Sequence, residues 1–124
     1  MTIKAILEDL GQELKSIDSR LKIKHSFSLN ADDVKPYLCI IVPDLPSLKS
    51  TFNGRQDAYA YLYIHHNSVL NLIELKEELE IILDDFCTEN YRIISTDDDD
   101  KFEGQLVGSD LLTDRIKITI LYGG

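Results

Sequence analysis

Four aspartates in a row, Asp97-Asp98-Asp99-Asp100, are the densest set of cation-seeking oxygens in the chain. A hard cation such as Ca2+ gathers several carboxylate and carbonyl oxygens, and its best-known helical loop needs Gly at the sixth position and Glu at the twelfth. Counted from Asp97, those positions are Phe102 and Gly108, so the loop motif fails and a solvated acidic loop is expected. His65-His66 resembles a metal pair in composition only. Neighbours on a strand point to opposite faces, and His25 is the one further histidine. Zinc wants three or four ligands of the right kind, and no spacing here supplies them. Cys39 and Cys87 stand far apart; Cys39 sits in an apolar run and reads as a small buried hydrophobe.

Catalysis by a nucleophile needs a serine or cysteine beside a base in a recognisable setting, and neither Gly-x-Ser-x-Gly nor Ser-x-x-Lys occurs. Gly54, Gly104 and Gly108 are isolated, so no glycine-rich phosphate loop follows a strand. Glu77-Glu78 and Asp84-Asp85 lie where solvating groups of a helix belong. The expectation is a protein without catalytic residues, metal or cofactor.

The net charge of −9, from 13 basic and 22 acidic residues, points the same way. Phosphate backbones are held by Lys and Arg that displace counterions, so specific nucleic-acid binding is not expected. No apolar run approaches the ~20 residues that span a bilayer. Met1-Thr2-Ile3-Lys4 leads into an amphipathic helix without the apolar core of a secretory signal, so cytoplasmic synthesis is expected.

The elements follow from periodicity. Ala58, Ala60, Leu62 and Ile64 alternate with Tyr59, Tyr61, Tyr63 and His65, which places aliphatics on one face of a strand and tyrosines on the other. Ser68 then caps a helix carrying Leu72, Leu75, Leu79, Ile82, Leu83 and Phe86 at helical spacing, with Glu74, Lys76, Glu77, Glu78 and Glu80 in most remaining positions. Upstream, Ile3, Ile6, Leu7, Leu10, Leu14, Ile17 and Leu21 stripe a first helix that fades around 16–20, with Gly11 inside it. Leu21–Phe27 alternates and reads as a short edge strand with lysines that discourage further pairing. Tyr37–Val42 is a continuous apolar run suited to a central strand covered on both faces. Tyr91–Thr96 and the alternating Ile116, Ile118, Ile120 and Tyr122 give two more strands. Two long polar connections remain, 47–56 with Asn53-Gly54 as its turn, and 97–114. The expected fold is a single α+β domain over 1–124: one mainly antiparallel sheet of four to five strands with two helices on one face. The tyrosine face then points away from the helices. It is either an exposed aromatic strip that marks a partner site, or a second core covered by the flanking loops.

This order resembles the tail terminator (tail completion) proteins of long-tailed bacteriophages and prophages. The residues that carry the resemblance are an amphipathic first helix, a Pro-Tyr-led strand (Pro36–Ile41), the strand Asp57–Ile64, the helix Ser68–Phe86, a further strand and polar loop, and a terminal strand Arg115–Tyr122. The likeness spans nearly the whole chain and lies in pattern and length. It implies a non-enzymatic virion component that forms a ring with copies of itself, commonly a hexamer. Such a ring caps the tail tube and joins it to head-connector proteins. On that resemblance, Asn53 and Arg55 with Tyr59, Tyr61 and Tyr63 are candidate subunit or partner contacts. Asp97, Asp98, Asp99 and Asp100 are candidates for an acidic lumen that lets DNA slide. The alternative is a small acidic immunity-type protein that neutralises a basic partner through Tyr59, Tyr61, Tyr63, Asp84 and Asp85.

Overall fold

The computed structural model describes residues 2–45, 51–52, 55–98, 102–106 and 108–123, with the backbone alone at 51–52, 55–56 and 103. Helix α1 (Ile3–Ile17) starts where the Thr2 hydroxyl accepts the Ala5 N–H at 3.2 Å. It stops at Asp18, whose carboxylate turns to bind Arg20. Its stripe of Ile6, Leu7, Leu10 and Leu14 is buried. Helix α2 (Val69–Leu83) is capped by Ser68, whose hydroxyl accepts the Asn71 N–H, and buries Leu72, Leu75, Leu79 and Leu83.

Seven strands form one sheet among the described residues: β1 (Lys22–Lys24), β2 (Leu38–Pro43), β3 (Thr51–Phe52), β4 (Arg55–His66), β5 (Tyr91–Ser95), β6 (Glu103–Gln105) and β7 (Leu112–Gly123). The main path runs β1-β2-β4-β7-β5. At its centre β4 and β7, each 12 residues long, pair antiparallel from Arg55↔Gly123 to His66↔Leu112. Because β7 occupies one edge of β4 throughout, β3 must lie in line with β2 on the other edge. By the same logic β6 and β5 share the outer edge of β7. The sheet is therefore five strands wide, as expected, with two short strands filling the ends of the outer columns.

The α+β class holds, and three details differ from the sequence reading. First, β1 pairs with β2 in parallel, so the sheet is mixed. The strand is also shorter than Leu21–Phe27, because Phe27 leaves the edge to lie against the Tyr63 ring. Second, β4 begins at Arg55 rather than Asp57, and strand pairing, Thr51↔Gln56 and Phe52↔Arg55, extends into the connection 47–56, a hairpin tip in the sequence; its expected turn residues Asn53 and Gly54 lie outside the described residues. Third, the connection 97–114 carries β6, and β7 begins well before Arg115.

Both helices pack on the face that displays Cys39, Ile41, Ala58, Ala60, Leu62, Ile64, Ile93, Ile116, Ile118 and Ile120, all buried in one core. Each large aliphatic side chain removed from water there contributes roughly 1.5–3 kcal/mol. Gly11 lets α1 sit close to β1: a Cβ at this position would stand 2.7 Å from Ile23 Cγ2. Tyr37, just before β2, adopts φ 68°, which costs a bulky residue about 1–3 kcal/mol. Its backbone is held by two bonds, Lys22 N–H to Tyr37 O at 2.9 Å and Tyr37 N–H to His65 O at 3.0 Å. Its ring lies 4.5 Å beneath the Arg20 guanidinium.

Candidate functional site

The period of two along β4 sends Tyr59, Tyr61, Tyr63 and His65 to the sheet face opposite the helices. Register then places Thr119, Lys117, Arg115 and Thr113 of β7 beside them, in that order. This face is neither wholly open nor wholly covered; burial rises steadily along the strand. Tyr59 is 40% exposed, Tyr61 and Tyr63 are half-buried, and His65 is 1% exposed. The face is thus exposed at its Tyr59 end and covered at its His65 end.

Two connections make the gradient. Phe27, from the segment between β1 and β2, meets the Tyr63 ring edge-on at 5.1 Å. Phe102, from the segment before β6, meets the same ring edge-on at 5.4 Å. Arg115 ties the second connection down. Its guanidinium lies 4.6 Å from the Tyr61 ring centre and 5.1 Å from that of Phe102, and it holds the Asp98 carboxylate through two nitrogens. The hydrogen-bonded carboxylate keeps Arg115 charged by raising its pKa. Asp98 is thus not part of a solvated acidic run: it is 19% exposed and ion-paired. Asp97 is exposed, and Asp99 and Asp100 lie outside the described residues. At the open end Lys117 Nζ sits 4.6 Å over the Tyr59 ring, beside exposed Ile94. The Arg55 side chain is outside the described residues, although its backbone pairs at the end of β4.

Between Phe27 and Phe102 the covered end leaves an open, largely apolar cleft of about 310 Å³, lined also by Tyr63, His65, Gly104, Gln105, Leu106 and Thr113. The His65 Nδ1–H donates to the Leu38 carbonyl at 3.1 Å, which leaves Nε2 as an acceptor. Burial holds the His65 pKa below its ordinary value, so the ring is neutral at neutral pH. Thr113 Oγ1 is buried and has no hydrogen-bond partner among the described residues.

His66 points to the helix side, as strand geometry requires, and its Nδ1 accepts the Ser68 N–H at 3.3 Å. The two histidines therefore share no ligand. Among the described residues, no three His, Cys, Asp or Glu side chains are placed to hold a metal ion. Cys39 is buried in the core, which pushes its thiol up to about 12. Asp85, an acidic contact in the alternative reading, is engaged by Arg92.

One surface escaped the sequence reading. Helix α2 carries a second apolar stripe, Leu70 (78% exposed), Ile73 and Ile81 (77% exposed), directly opposite its core stripe, with Val69 beside it. The signal is in the sequence: at the helical period these residues fall around Glu77, on the side away from Leu75 and Leu79. No helix among the described residues is long and apolar enough to cross a membrane. Neither the known family models nor the curated proteins contain a match to this chain.

Proposed function

We propose that this chain is a non-enzymatic assembly protein of the phage tail terminator type, which associates head to tail with copies of itself into a ring. The observation that carries this reading is the outer stripe of α2. A helix apolar on two opposite sides is suited to two partners, and the sheet covers one side only. A second copy fits the other side. The stripe is bordered by Glu74, Glu77, Glu78 and Glu80, whereas the exposed end of the sheet presents Tyr59, Ile94 and Lys117. An acidic-apolar patch on one layer and a basic-aromatic patch on the other complement each other between copies. Contacts between unlike surfaces generate rings when the rotation closes. Such a ring would cap a tail tube and meet head-connector proteins, with no nucleic-acid specificity and no membrane role. The alternative, capture of a basic partner, has less support because Asp85 is already neutralised by Arg92.

The test is mass by light scattering across a concentration series, with negative-stain images. The wild-type protein is expected to form rings with a central hole, and Leu70→Ser with Ile81→Ser to remain monomeric. A wild-type protein monomeric at every concentration overturns the ring.

A further inference from the structure

Arg115 and Lys117 stand two positions apart on β7, so both point to the sheet face that carries Tyr63 and Tyr61. Each cation lies on a tyrosine ring, the Arg115 guanidinium 4.6 Å from Tyr61 and the Lys117 ammonium 4.6 Å from Tyr59. They differ in what covers them. Lys117 forms no ion pair among the described residues, whereas Arg115 is held by Asp98 through two nitrogens and is 14% exposed. The acidic side of α2 carries a matching spacing. Glu74 and Glu77 are exposed and three positions apart, which sets them about 5–6 Å from each other on a helix. Alternate residues on a strand stand about 6.5–7 Å apart. A neighbouring copy whose α2 lies along β7 and brings Glu77 to Lys117 therefore directs a second glutamate toward Arg115, where a carboxylate already sits.

We infer that Asp98 is an internal stand-in for a carboxylate of the neighbouring copy: it occupies Arg115 in the separate chain and gives way to an α2 glutamate when the next copy docks. This exchange rests on the ring proposed above and supplies the control of one contact in it. With Asp98 in place the sheet face offers the acidic helix one cation, and with Asp98 released it offers two. The guanidinium is a planar fork lying on the Tyr61 ring, so it can hold either carboxylate through the same two nitrogens. The partly buried charge stays paired in both states, which avoids the cost of an uncompensated ion. Released, Asp98 joins the exposed Asp97 in water. The internal pair thus favours the separate chain until acidic helices are concentrated enough to compete for Arg115.

The experiment compares wild type, Asp98→Asn and Asp97→Asn by light scattering over a concentration series, with hydrogen exchange on the wild type. Asp98→Asn weakens the internal pair, so association is expected at about tenfold lower concentration. Asp97→Asn makes the same change of net charge at an exposed position and should associate like the wild type. On an Arg115→Gln background Asp98→Asn should give no gain, because the cation that the glutamate needs is gone. In the wild type, exchange at Phe102, Gly104 and Gln105 should accelerate as the chain associates, since Asp98 has left Arg115; simple burial of this segment would slow it. A wild-type ring with unchanged or slower exchange there overturns the inference, as does Asp98→Asn associating no more readily than Asp97→Asn. Both of those outcomes leave the ring itself standing. Wild type and Asp98→Asn monomeric at every concentration overturn the ring, and this contact with it. Because exchange is read on the wild type, a variant that fails to fold does not shield the proposal.

Discussion

Asp98 and Arg115, 17 positions apart, form a two-pronged ion pair: Arg115 Nε to Asp98 Oδ2 is 2.7 Å, and Nη2 to Oδ1 is 2.9 Å. Both side chains are largely buried, at 19% and 14% exposed. The pair decides which surface the chain presents. It draws the connection after β5 across the sheet, so that Phe102 reaches Tyr63 and one end of the tyrosine face becomes covered. Phe27, from the connection between β1 and β2, covers the Tyr63 ring from its own side.

Removing the cation should therefore loosen the connection. Arg115→Ala removes the two Arg115 bonds from the largely buried Asp98 carboxylate and should cost about 1.5–3 kcal/mol, the worth of hydrogen bonds to a charged group. Urea unfolding would measure the loss, and hydrogen exchange should accelerate at Phe102, Gly104 and Gln105. Unchanged exchange there would show that the aromatic contacts alone hold the segment.

The pH dependence has a defined sign. His65 has a folded pKa below the ordinary 6.5 because of burial, so the unfolded chain takes up a proton first as pH falls. Its contribution is complete above about 6.5 and is lost as pH descends toward the folded value. Asp18 and Asp33 are also held below the ordinary 3.8, by Arg20 in one case and by the Asn30 N–H and Lys24 in the other. Their stabilisation is present above 3.8 and is lost below it. The urea midpoint should thus fall in two stages on acidification. In His65→Gln the first stage should vanish; if it persists, another group is responsible.

Gly11→Ala tests the approach of α1 to the sheet. The substitution gains about 1 kcal/mol of helix propensity. Against this, the new Cβ stands 2.7 Å from a methyl of Ile23, whose branched side chain in β1 has little freedom to move. Overpacking of this kind costs about 1–3 kcal/mol, so a net loss on the order of 1 kcal/mol is expected. A gain in midpoint would mean that the helix shifts freely.

Where local periodicity dictates structure, the sequence was legible. The alternation at Ala58–His65 is β4, the stripe from Ile3 is α1, and Ser68 caps α2. What escaped depends on partners distant in sequence. Nothing near Lys22–Lys24 declares that its neighbour runs parallel, because direction is set by the route of residues 25–37. The left-handed turn at Tyr37 is paid for by contacts from Arg20 and His65, and Tyr37 as a residue type argues against it. Asp98 looks like its neighbours in a solvated run until Arg115 is brought beside it. For the site, the tyrosines were found because alternation exposes them, whereas the His65–Thr113 pair needed the β4–β7 register.

The charge pattern of the two proposed contact surfaces gives a last prediction. If the outer side of α2 meets the Tyr59 end of the sheet on the next copy, Glu77 and Lys117 belong to opposite halves of one interface. Glu77→Lys alone places positive charge against Lys117, and Lys117→Glu alone places negative charge against the α2 glutamates; each should weaken association. The double variant restores the attraction with its sense reversed and should recover assembly. An exposed pair is worth only about 0.2–1 kcal/mol, but a closed ring repeats the contact at every interface, so the effect on assembly is multiplied. Raising the salt concentration should shrink all three differences, because the charges are screened. Light scattering of the four proteins side by side reads the outcome. Two single variants that associate like the wild type would separate these surfaces from the interface. A double variant no better than either single one would place the two residues in different contacts.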